Sequence, residues 1–204
     1  MMTTDANGVD HPDTEEEARN MAMQTSYSFD HAGDGPGDKD DPKKKRENIA
    51  NTAEKHIGQG LWAKNVDRLN LSAGDWKCSL FVYEMLKEAG IDMGLPKGNW
   101  IFGGEYPYSA GDWGDPTKVI PGWAVVEKPE PGDIAAYAAE YERASGHVGI
   151  YTGGGQGVWA NDKTVRKDKV DNKTWGTEHK IIYRRYVGES TFSLTGYYLK
   201  NPWH

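Results

Sequence analysis

Cys78 is the single cysteine in 204 residues, so no disulfide can form within the chain and the thiol is either a packed small hydrophobe or a reactive group. No stretch approaches the ~18 consecutive apolar residues of a membrane-spanning helix, which excludes a span. The first thirty residues lack the basic start and apolar run of a secretory signal, so export by the ordinary route is not expected. A basic stripe is missing as well. Twenty-four Lys and Arg stand against thirty-one Asp and Glu, a net charge of −7, and nucleic-acid binding needs the opposite sign. The one dense cationic run, Lys43-Lys44-Lys45-Arg46, follows Asp40 and Asp41 and reads as the solvated start of a helix. Gly153-Gly154-Gly155 is not a phosphate loop, because no Lys-Ser/Thr follows and the glycines precede a strand pattern. Asn70-Leu71-Ser72 and Asn172-Lys173-Thr174 are chance glycosylation-like triplets in a chain without an export signal.

The charge and the apolar residues are unevenly spread, and this divides the chain. Residues 1–45 hold eleven acids against five bases, while the rest is close to neutral. Residues 1–41 have few aliphatic side chains, too few to offset the entropy of ordering, and are expected to be a flexible acidic tail. Residues 42–204 are then one folded domain. Asp41-Pro42 marks a helix start, with Ile49, Ala53, His56 and Ile57 on one buried stripe and Gly58 as the stop. In DWKCSLFVYEMLKEAG, Asp75 is expected to cap a helix running to Ala89. Phe81, Val82, Met85, Leu86 and Ala89 face inward, and Cys78 lies in the first turn.

Residues 91–130 carry many Gly, Pro and Trp with little periodicity, as in a long ordered loop that shapes a cleft. Beyond them the pattern turns to strands at 134–137, 147–152, 158–161, 180–187 and 191–199, with a turn at Pro131-Gly132-Asp133 and a hairpin at the triple glycine. Helices first and antiparallel strands after point to an α+β fold. Eight Trp and eleven Tyr fit either a packed core or platforms for sugars and peptides.

A thiol attacks an amide as thiolate, and the first turn of a helix lowers its pKa. An adjacent imidazole then takes the proton and later delivers it to the leaving amine. His147, at the start of the strand in SGHVGIY, is the candidate base. Asn161, with Asp162 as the alternative, would hold the other ring nitrogen, and the Cys78 N–H would meet the oxyanion. Trp76, Trp100, Tyr108, Trp113 and Trp159 are candidate substrate-binding aromatics.

The segments KCSLFVYEMLKEAG, PGDIAAY and SGHVGIYTGGG occur in that order, with Cys78 and His147 69 residues apart. Together they resemble the NlpC-like and CHAP-like cell-wall peptidases and amidases of the papain-like superfamily. The resemblance implies a papain-like (NlpC-type) fold, with N-terminal helices packed on a small antiparallel sheet. It also implies hydrolysis of amide bonds in peptidoglycan stem peptides, without metal or cofactor, with Cys78 as nucleophile and His147 as base. Trp159 stands where many NlpC-like members carry a further His. Related domains act as injected antibacterial toxins or phage lysis enzymes, so a protein made in the bacterial cytoplasm and acting in the periplasm or cell wall of a target cell is expected. A cognate immunity protein, and a secretion-system carrier or chaperone, are the partners such a role implies. Two other readings stand beside it: a papain-like deamidase or acyltransferase acting on protein or lipid, and a non-catalytic glycan-binding module.

Overall fold

The computed structural model describes residues 2–4, 10–12, 41–69, 71–93 and 107–188. The chain divides into two units, 1–38 and 39–204. In the first, β1 (Met2–Thr4) pairs antiparallel with β2 (Asp10–Pro12). This pair falls in the segment expected to be a flexible tail, and the strand expected at 191–199 lies outside the described residues.

The second unit opens with α1 (Pro42–Lys55). Asp41 caps it by accepting a hydrogen bond from the Lys43 N–H at 2.9 Å, and Pro42 fills the first position, where no N–H is needed. Ile49 and Ala53 are fully buried along the expected stripe. Ile57 is not part of it: the helix stops at Lys55, the spacing breaks, and Ile57 is left 43% exposed.

The next helix, α2, spans Cys78–Glu88 and not Asp75–Ala89. Asp75 does not cap it, because its carboxylate is committed upstream, accepting from the Ser72 N–H at 3.1 Å and from Arg143 at 2.8 Å. Lys77 occupies the cap position instead, so Cys78 becomes the first helical residue. Phe81, Val82, Met85, Leu86 and Ala89 are buried as expected. Gly90, at φ +84°, ends the segment in the left-handed region that glycine enters without strain.

Within the expected long loop lie α3 (Ala110–Gly114) and an unanticipated strand, β3 (Trp123–Val126). A reciprocal cap between Ser109 and Asp112 sets the start of α3. A Cβ on Gly114 would lie 2.3 Å from the Ala138 nitrogen, so this close approach to the sheet requires glycine. The remaining elements are β4 (Ile134–Tyr141), β5 (Ala144–Gly153), β6 (Gln156–Ala160), β7 (Val165–Lys169), α4 (Asn172–Trp175) and β8 (Ile182–Tyr186). Strand β7 was also unanticipated, since VRKDK offers one apolar residue and four charged ones.

The six strands form one antiparallel sheet in the order β3-β8-β4-β5-β6-β7. Val148, Ile150, Val158, Ala160 and Val165 face the helices, where they share a core with Phe81, Val82 and Met85. The alternate positions Ala135, Tyr137, Tyr151 and Trp159 form a second cluster on the other face, where Val170 and Trp175 join them. The expected α+β architecture, helices against a small antiparallel sheet, is therefore borne out. Among the described residues no helix is long and apolar enough to cross a membrane.

Two buried ionic groups fix the strands' ends. Asp133 is fully buried, accepts from the Glu130 N–H at 2.7 Å and takes Arg185 through two nitrogens at 2.9 and 3.1 Å. The Pro-Gly-Asp turn is thus a structural clasp. Arg184, 2% exposed, donates to the carbonyls of Trp113 and Lys118 at 2.9 Å and to that of Asp115, pinning the α3 region to β8.

Candidate active site

The N-terminal end of α2 carries no side-chain cap. Its ladder begins with the Phe81 N–H donating to the Lys77 carbonyl at 2.9 Å, so the amides of Cys78, Ser79 and Leu80 precede the first helical bond. Cys78 is 6% exposed. Burial pushes its thiol pKa up. The amides of Val148, Ser79 and Cys78 itself and the Ser79 hydroxyl pull the other way, because they favour negative sulfur. The Val148 amide belongs to the residue after His147, so the sulfur sits against β5 beside His147.

His147 follows Gly146, whose φ of +128° and close approach to the Tyr137 carbonyl no other residue could match: a Cβ there would lie 1.9 Å from that oxygen. Its ring packs edge-on to Trp175 at 5.0 Å and to Trp159 at 5.9 Å, and lies 6.4 Å from Tyr137. These neighbours belong to the sheet face away from α2. Burial among them lowers the imidazole pKa to about 4, so the ring is neutral at physiological pH. Among the described residues no hydrogen bond reaches it.

Cys78 belongs to the helix-side core and the His147 ring packs against the cluster on the other face, and a cavity of about 550 Å³ at the end of the sheet is lined by both. It opens where the β4–β5 hairpin and the end of β6 meet. Trp76 and Trp159 line it, as expected, together with Tyr137 and Trp175. Asn161 lines it too, and continuing the β5–β6 register from Ile150 opposite Val158 sets Asn161 across from His147.

Asp162 is not among the lining residues; its carbonyl accepts from the Lys64 N–H at 2.8 Å on the outer side. Neither Tyr108 nor Trp113 belongs to this cavity. Trp113 is 2% exposed and packs between Tyr108 and Trp123 in the helix-side core, because the capped turn at Ser109 folds it inward. Trp100 lies outside the described residues. Sequence reasoning missed Trp175, Tyr137, Lys64 and Arg166 as cavity residues. Period-two alternation from His147 through β4 could have found Tyr137, whereas Trp175 arrives on a four-residue helix that leaves no periodic signal.

Residues 70–167 match the family model described as the CHAP domain. Curated relatives include the probable endopeptidase p60 of Listeria seeligeri, 29% identical over 125 residues, which cover 61% of this chain and 19% of that protein. The probable endopeptidase p60 of Listeria monocytogenes is 27% identical over the same length, covering 61% of this chain and 21% of that protein. This chain therefore spans about a fifth of the length of these relatives.

Similar solved structures include a mutated form of the Resuscitation Promoting Factor Interacting protein RipA, with 18% identity, a TM-score of 0.49, and coverage of 72% of this chain and 64% of that one. NlpC2 from Trichomonas vaginalis has 18% identity and a TM-score of 0.40, covering 77% and 49%. The type VI effector-immunity complex Tae3-Tai3 from Ralstonia pickettii has 19% identity and a TM-score of 0.39, covering 69% and 98%. The match over residues 70–167 and the p60 relatives bear out the expected resemblance to the NlpC-like and CHAP-like cell-wall domains.

Proposed function

We propose that this protein hydrolyses amide bonds in the stem peptides of bacterial peptidoglycan, with Cys78 as nucleophile and His147 as general base. The observation that carries the reading is that a cysteine on the first residue of an uncapped helix and a histidine within the adjoining strand β5 line one aromatic-walled cavity. The CHAP match over residues 70–167, which includes both side chains, and the p60 relatives add to it.

In this mechanism the Cys78 proton passes to the imidazole as sulfur bonds to the scissile carbonyl carbon. The oxyanion so formed meets the Cys78 N–H, one of the amides ahead of the first helical bond. The C–N bond then breaks, and the imidazolium returns its proton to the leaving amine. Water, deprotonated by the same imidazole, cleaves the thioester and restores the thiol. Asn161 is the positioning residue that holds the ring's second nitrogen once substrate fills the cavity. An antibacterial role belongs to the same proposal: delivery into a target cell's periplasm or wall, with an immunity protein that covers the cavity as partner.

The test is digestion of purified sacculi, with soluble fragments identified by mass spectrometry. Wild-type protein is expected to release stem-peptide fragments that Cys78→Ala and His147→Gln do not. Undiminished release by Cys78→Ala would remove the thiol from the chemistry. Asn161→Ala is expected to lower kcat while leaving KM nearly unchanged.

A further inference from the structure

The cavity carries charge of the sign opposite to the chain as a whole. Lys64, Arg143 and Arg166 line it against one acid, Glu142, although the protein's net charge is −7. Two of these cations are already matched: Arg143 pairs with Asp75 and Arg166 with Asp168, each at 2.8 Å. Lys64 is different. Among the described residues no carboxylate pairs with it, and its ammonium lies 4.5 Å from the centre of the Trp76 ring, itself a cavity wall.

The backbone of Lys64 is fixed on both sides. Its N–H donates to the Asp162 carbonyl at 2.8 Å, and its carbonyl accepts from the Gly74 N–H at 2.6 Å. An ammonium held over an aromatic face retains its charge and three donors, and the ring restricts its range. Such a group meets a carboxylate at small entropic cost, because it is placed before the ligand arrives.

Resting on the proposed peptide-hydrolase reading, we infer that Lys64 and Trp76 form a specificity subsite that takes a free carboxylate of the peptide substrate, so that acid-form stem peptides are selected over their carboxamides. The indole packs against the substrate's alkyl portion while the ammonium donates to the carboxylate oxygens. Both side chains come from the segment that precedes α2 and line the same cavity as the sulfur and the imidazole, so the subsite sets which peptide is cut and leaves the chemical step to those two groups.

A double-mutant cycle across the two partners tests this. Matched stem peptides differing in one carboxyl group, acid or carboxamide, are each given to wild type, Lys64→Gln and Lys64→Arg. Wild type is expected to favour the acid by about ten- to a hundredfold in kcat/KM, the range of a charge-assisted hydrogen bond. Lys64→Gln is expected to raise KM for the acid to near that for the carboxamide and so erase the preference, and Lys64→Arg to restore most of it. Equal loss on both peptides, or an unchanged preference, overturns the inference.

Binding of the same peptides to Cys78→Ala, read by calorimetry, separates this result from failure of the hydrolase reading. A preference for the acid that needs Lys64, in a protein whose wild type cuts neither peptide, would refute hydrolysis and sustain the subsite. No preference in binding or cleavage would refute the subsite.

Discussion

Acidification should destabilise this protein through His147, and the size of the effect follows from its surroundings. The ring is packed against Trp159 and Trp175, and burial lowers its pKa from 6.5 to about 4. Above pH 6.5 neither folded nor unfolded chain holds the extra proton, and His147 contributes its full stability. As pH falls below 6.5 the unfolded chain binds the proton while the folded one still excludes it, so stability is lost until the folded ring titrates near pH 4. Each pH unit in that window removes about 1.4 kcal/mol, hence ~2 kcal/mol at pH 5 and ~3 kcal/mol at the lower limit. Urea unfolding of wild type and His147→Gln between pH 7.5 and 4.5 measures it, because the variant retains a polar side chain of similar length but has no proton to bind. The wild-type free energy of unfolding is expected to fall by ~2 kcal/mol more than the variant's between pH 7 and pH 5. Parallel curves would refute the reasoning and mean that the ring is solvated in the folded state.

Other outcomes follow from single positions. The Cys78 thiol, held above its ordinary range by burial, should alkylate slowly with iodoacetamide at pH 7 and faster as pH rises, monitored by intact mass. Cys78→Ala should retain nearly the wild-type melting temperature. Asp133→Ala leaves Arg185 without its buried partner and should cost ~3–5 kcal/mol, a drop of roughly 6–20 °C in Tm by calorimetry. Gly146→Ala drives a methyl into the Tyr137 carbonyl at a φ that alanine rarely adopts. A loss of ~2–6 kcal/mol in urea unfolding is expected, from overpacking and backbone strain together.

The parts legible in the sequence were those with a local signal. Asp41-Pro42, the apolar face of Phe81 to Ala89 and the Pro-Gly-Asp turn each declare themselves within a few residues, and each stands where expected. Asp75 misled because a capping side chain can bond to either of two nearby turns, and Arg143, 68 residues away, draws it to the upstream one. Strand β3 and the fate of Trp113 were hidden for a related reason. Their burial depends on Arg184, which collects three carbonyls from residues 113–118 and draws that loop against β8. The cavity was half legible: Trp76 and Trp159 flank the two chemical residues in sequence, whereas Lys64 and Trp175 enter through loop closure and a one-turn helix.

The two perturbed groups together bear on how a proton would move on the proposed reading. Burial raises the thiol pKa and lowers the imidazole pKa, so both shifts favour the neutral pair over the thiolate–imidazolium pair before substrate binds. A preformed thiolate is therefore not the resting state, and proton transfer has to accompany attack on the carbonyl. The amides of Cys78 and Ser79, which already favour negative sulfur, are then better placed for the oxyanion that replaces it. Substrate that fills the aromatic cavity and brings Asn161 onto the second ring nitrogen would raise the imidazole pKa toward neutrality. The activity of wild type against pH should accordingly report a base pKa well above 4 in the enzyme–substrate complex, and Asn161→Ala should move that limb to lower pH.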